Sequence, residues 1–81
     1  MNEFTFVQQL NSIIREVMPS IDLKVTHGHL SYVQLDIKHL QGQNYTSLAQ
    51  IKYLQQLKEG MTEEEFVRTL VDITKQQKVF N

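Results

Sequence analysis

The chain has no cysteine and no tryptophan, only one proline and three glycines, and charges that nearly cancel, with 8 Lys and Arg against 9 Asp and Glu in 81 residues. Each scarcity removes a class of protein. Without thiols there is no disulfide framework and no thiolate metal site, so neither a small secreted scaffold nor a zinc finger fits, and an intracellular setting is the default. With so few chain breakers and 41% hydrophobic residues, the composition is that of a globular protein rather than a disordered or collagen-like one. No apolar run approaches the ~18 residues of a membrane span, and the opening Met-Asn-Glu-Phe lacks the charged and apolar regions of a signal peptide. A cytoplasmic protein with no membrane partner is expected. Residues 1–20, 21–44, 45–60 and 61–81 each carry a net charge of no more than one unit. The basic face that displaces counterions from duplex phosphates is therefore lacking. At this length a single domain over 1–81 is expected, burying roughly 60–65% of its unfolded surface.

What is present is periodicity. From Phe6 to Met18 the apolar residues Phe6, Val7, Leu10, Ile13, Ile14, Val17 and Met18 recur every three or four positions, which predicts an amphipathic helix stopped by Pro19. The period then becomes two. Ile21, Leu23 and Val25 alternate with Asp22, Lys24 and Thr26, and Val33, Leu35 and Ile37 alternate with Gln34, Asp36 and Lys38, predicting two half-buried strands, 21–27 and 30–38. For Val25 and Val33 to face one core, paired residue numbers must sum to an even value. That requires an odd-length connection, 27–29 or 28–30, or a bulge. Gln41 to Asn44 form the next break. Leu48, Ile51, Leu54 and Leu57 then suit a helix over 47–59, capped by Ser47 with Gln50 three residues on, while residues 44–48 can instead add a short third strand through Tyr45. Gly60 suits a left-handed position after that helix. Thr62 with Glu65 forms a capping box that opens a last helix over 62–77, with Phe66, Leu70 and Ile73 as its core stripe and residues 78–81 left to fray. The fold class is α+β: a small antiparallel sheet packed on one face by the first and last helices, in the order αββαα.

Few residues carry chemistry. His27 and His29 flank Gly28, a density that a metal site uses, but His39 lies at the far end of the hairpin. Two solvated imidazoles in a turn are the simpler account, and no metal or cofactor is expected. No nucleophile stands beside a base and no carboxylate pair falls in an apolar setting, so the chain does not read as an enzyme. The helix pair 47–59 and 62–77 has a helix-turn-helix outline, with Lys52, Lys58, Arg68, Lys75 and Lys78 near it. Its second helix opens with three glutamates, which phosphates repel, leaving a weak nucleic-acid-binding regulator as the alternative reading. The favoured one is protein binding. Glu59, Glu63, Glu64, Glu65 and Asp72 make an acidic group that complements a basic groove on a partner, and Tyr32, Tyr45 and Tyr53 are the aromatic anchors that interfaces favour. Nothing in the sequence covers the edges of the sheet, so pairing of hairpins across a two-fold axis is a route to a homodimer.

One N-terminal helix, a hairpin containing Tyr32-Val33-Gln34-Leu35-Asp36-Ile37, and two helices, the last opening on Glu63-Glu64-Glu65-Phe66, form an order of elements that resembles small phage-encoded anti-CRISPR inhibitors of type II nucleases. The resemblance spans most of the chain and contains no diagnostic motif. Such inhibitors are strongly acidic mimics of DNA, and a net charge of −1 departs from that. What the resemblance implies is a small mobile-element protein that binds a host protein stoichiometrically.

Overall fold

A computed structural model describes residues 2–81. Three helices and four strands follow in the order α1 (Glu3–Val17), β1 (Leu23–His27), β2 (Tyr32–Leu40), β3 (Gln43–Gln50), α2 (Ile51–Glu59), α3 (Glu63–Lys75) and β4 (Val79–Phe80). The strands form one mixed sheet in chain order: β1, β2 and β3 are antiparallel neighbours and β4 joins β3 in parallel. The fold is thus the expected α+β class, with a third strand and a short fourth one added.

Alternation places the odd-numbered residues of β1, β3 and the first part of β2 on one face. Leu23, Val25, Val33, Leu35, Ile37 and Ala49 are buried there against Phe6, Leu10, Ile13 and Ile14 of α1 and Phe66, Val67, Leu70 and Ile73 of α3. Each Val, Leu, Ile and Phe side chain among them contributes about 1.5–3 kcal/mol on burial. The opposite face of the sheet has no helix and carries Lys24, Thr26, Gln34 and Thr46, all exposed.

α1 begins three residues before its predicted start, because the Asn2 side chain accepts a hydrogen bond from the Thr5 N–H (2.8 Å) and caps the helix. It ends at Val17, two residues before Pro19. The first hairpin keeps the required parity, Val25 pairing with Leu35 and His27 with Val33. Its three-residue loop is His29-Leu30-Ser31, one position beyond the expected one: the Gly28 N–H donates to the Tyr32 carbonyl at 2.9 Å, and the Tyr32 N–H turns to the His29 carbonyl at 3.2 Å.

Residues 47–50 are strand, not the start of a helix. Ser47 does not cap α2, and Gln50 at the cap position makes no side-chain cap bond. The Ser47 Oγ is buried and donates toward the Ile73 and Thr74 carbonyls (2.8 and 3.0 Å), while accepting from the Lys78 N–H at 3.2 Å. It satisfies the open carbonyls at the end of α3 from across the fold. Lys78 to Asn81 accordingly do not fray. The Leu48 N–H donates to the Lys78 carbonyl at 3.0 Å, and the Phe80 ring lies 5.7 Å from that of Tyr53.

The capping box at Thr62 forms as predicted, with Glu65 N–H to Thr62 Oγ1 at 3.2 Å and Thr62 N–H to Glu65 Oε1 at 2.9 Å. Gly60 is not left-handed: its φ is −98°, and a Cβ there meets nothing within 4 Å. The left-handed residue after a helix is instead Gln77, at φ 52° beyond α3.

The outer edge of β1 is covered as well. Asn11 of α1 donates from Nδ2 to the Val25 carbonyl (2.8 Å) and accepts at Oδ1 from the Val25 N–H (2.9 Å). A side-chain amide stands where a neighbouring strand would, so the expected pairing of hairpins along β1 has lost its central hydrogen bonds.

Candidate functional site

The residues singled out by sequence have different local partners. Tyr32 points away from the core, its hydroxyl donating to Asn81 Oδ1 and lying 3.4 Å from Gln50 Nε2. Tyr45, on the core face of β3, is half-buried and donates from its hydroxyl to Gln43 Oε1 at 2.9 Å. Tyr53 is half-buried on α2 against Phe80. The acidic residues divide by task. Glu65 closes the capping box, and the hydrogen bonds it accepts from Thr62 hold its carboxyl below the usual glutamate value. The stabilisation from that cap is therefore present above the ordinary glutamate pKa and is lost as pH falls through the lowered one. Glu64 pairs with Arg68 at 2.7 Å. Arg68 sits one helical turn from both Glu64 and Asp72, so a cation interrupts the acidic stripe on α3. Glu59 lies with Phe6, Gln9, Gln55 and Lys58 along an open groove of about 410 Å³ between α1 and α2.

The side chains that stand out physically are others. Among the described residues four large hydrophobic side chains are exposed: Phe4 (64%), Leu30 (71%), Leu48 (37%) and Val79 (55%). Leu48 and Val79 are register partners on the open face of the sheet. Phe4 and Leu30 share one end of the molecule, where α1 begins and the first hairpin turns. His27 ties the two segments together: its Nε2 lies 3.3 Å from Glu3 Oε2 and 3.1 Å from the Leu30 carbonyl.

Leu30 also has φ 56°. A positive φ brings the Cβ of an L-residue against its own backbone and disfavours leucine by about 1–2 kcal/mol. It is the first central residue of the turn closed by the His29 carbonyl and the Tyr32 N–H, a position where glycine relieves the strain. The alternation predicts Leu30 either as the first residue of the second strand or as the last residue of the loop. The available signal was its place in the only odd-length connection that leaves Gly28 on the β1 side.

Among the described residues no three His, Asp or Glu side chains gather as a metal site, and every buried side-chain nitrogen and oxygen has a hydrogen-bond partner. No described helix is long and apolar enough to cross a membrane. No family model, no curated protein and no solved structure matches this chain.

Proposed function

We propose that this chain is a non-catalytic protein-binding module that inserts the tip of its first hairpin into an apolar pocket on a host protein. The observation that carries the reading is Leu30, an exposed leucine held at positive φ. Stability alone favours neither feature: glycine relieves the backbone, and a polar residue suits the solvent. A position that carries both costs is one where contact with a partner offsets them, which is how backbone strain at binding loops is ordinarily interpreted. Phe4 at the same end supplies a second apolar anchor, and the remaining loop residues His29 and Ser31 form a polar rim of the kind that surrounds buried anchors in interfaces.

The likeness in element order to phage-encoded inhibitors makes a type II CRISPR nuclease the first partner to test. With a net charge of −1, mimicry of DNA is a poor mechanism for this chain, whereas an apolar wedge needs no net charge. The nucleic-acid alternative draws less support, because α3 opens on Glu63, Glu64 and Glu65 and the Arg68 guanidinium is already engaged by Glu64.

The test is capture of a defined partner, beginning with a purified type II nuclease, by the native chain and by Leu30→Gly and Phe4→Ser. Binding by the native chain, weakened at least tenfold in both variants while their helical spectra are unchanged, supports the reading. Equal binding by all three would overturn it.

A further inference from the structure

The two long edges of the sheet are treated differently. At β1 the Asn11 amide occupies the N–H and C=O of Val25. On the other side, β4 covers only the last part of β3, pairing Leu48 with Val79 and Ala49 with Phe80. The Leu48 N–H points toward β4, and by the alternation of a strand the backbone groups of Thr46 and Asn44 point the same way. No hydrogen bond among the described residues engages those groups, and residues 43, 44 and 46 are exposed. Half of β3 is therefore an open edge.

Its side chains are as informative as its backbone. From Gln41 to Ile51 the chain carries no Asp, Glu, Lys or Arg, although charges, lysine above all, are what usually protect an open edge. A two-fold axis sets residues of one strand against the same short stretch of its mate, so a charge on the edge meets a like charge, which is unfavourable across strands. An uncharged edge is the kind that accepts a second copy of itself.

We infer that this chain forms a homodimer by antiparallel pairing of β3 with β3 of a second copy across a two-fold axis at Tyr45. In that register Asn44 lies opposite Thr46 of the mate, each pair exchanging both backbone hydrogen bonds, and the two Tyr45 residues face one another in the close, non-hydrogen-bonded position. Any pairing that moves Asn44 opposite Leu48 collides with β4. The turn at Gln41 and Gly42 carries each chain back toward its own β2 before it meets the β4 of the mate. The pairing lies at the end of β2 away from Leu30, so it is independent of the hairpin-tip contact.

Sedimentation equilibrium of the full chain, up to about 1 mM so that even weak association registers, reads the proposal directly. A species of twice 9.5 kDa is expected, with the Asn44 and Thr46 amides slowing in hydrogen exchange as the dimer fills. Thr46→Pro removes an outward N–H and the exposed hydrogen bond from Thr46 Oγ1 to Asp36 Oδ1 (2.6 Å), but no backbone bond between β2 and β3, and it should weaken the dimer at least tenfold. If that variant does not fold, Thr46→Lys, which places two lysines beside the axis, should do the same. A chain that is monomeric throughout overturns the inference, as does a dimer indifferent to the folded Thr46 variant. Protection of those two amides that appears only on adding a different protein also overturns it, assigning the edge to a foreign strand.

Discussion

The two hairpins of this sheet share β2 and are closed by opposite means. At the β2–β3 connection, Gln41 and Gly42 have φ 53° and 78° between the paired residues Leu40 and Gln43. This is the sign pattern of a type I′ turn, whose twist matches the strands it joins. A glycine occupies one of the two demanding positions, and a bulge at Lys38 and His39 absorbs the extra residue, the His39 N–H donating to Asn44 Oδ1 at 3.0 Å. The β1–β2 connection needs a positive φ just once and places Leu30 there. Both connections hold non-glycine residues at positive φ, Gln41 and His39 in one and Leu30 in the other, but only the first hairpin places a large exposed aliphatic side chain there. That leucine is what the proposed hairpin-tip contact rests on.

The largest expected effect ignores the distinction and sets its scale. Leu35 is fully buried in β2, between Val25 and Ser47, so Leu35→Ala should cost about 2–5 kcal/mol in chemical unfolding because it empties the core that both hairpins share. Gly42→Ala comes next. It forces a Cβ into φ 78°, with open space around it, so the loss of about 1–2 kcal/mol is purely conformational; no loss would show that the turn changes type freely. Leu30→Gly should do the reverse and raise stability by roughly 0.5–1 kcal/mol, relieved strain outweighing the added freedom of the unfolded chain. If it destabilises instead, the leucine packs in solution and the contrast between the turns disappears. The smallest effect is a control: Gly60→Ala, at a negative φ, should raise the stability measured in chemical unfolding by about 0.5 kcal/mol or less through the unfolded state alone.

Much of this architecture was legible in the residues because apolar side chains marked it. α1, β1, β2 and α3 each carry an unbroken aliphatic pattern, and Thr62 with Glu65 announces its own cap. β3 was harder for a specific reason. Its core-facing positions are Tyr45, Ser47 and Ala49, two of them small, while its one aliphatic residue, Leu48, faces outward and falls in register with Ile51, Leu54 and Leu57 of the following helix. A three-to-four residue spacing was thus completed by a residue on the wrong face. Ser47 sits where it does because α3 needs acceptors satisfied, and that requirement comes from 26 residues further along the chain. Asn11 was invisible for the same reason: on a helix wheel it is one more polar residue, and only the neighbouring strand gives its amide a task. For the candidate surface, composition directed attention to tyrosines and acids, whereas the exposed Leu30 owes its interest to a backbone angle that no count of residue types contains.

The Asn11 amide has one more consequence, for what the molecule does at high concentration. Stacking strand on strand without limit requires each unit to offer two sticky rims, one to receive and one to extend. With the centre of its β1 rim plugged by a side chain of the same molecule, this protein has one long rim left to offer, so the pairing inferred for β3 closes at two copies instead of propagating into a filament.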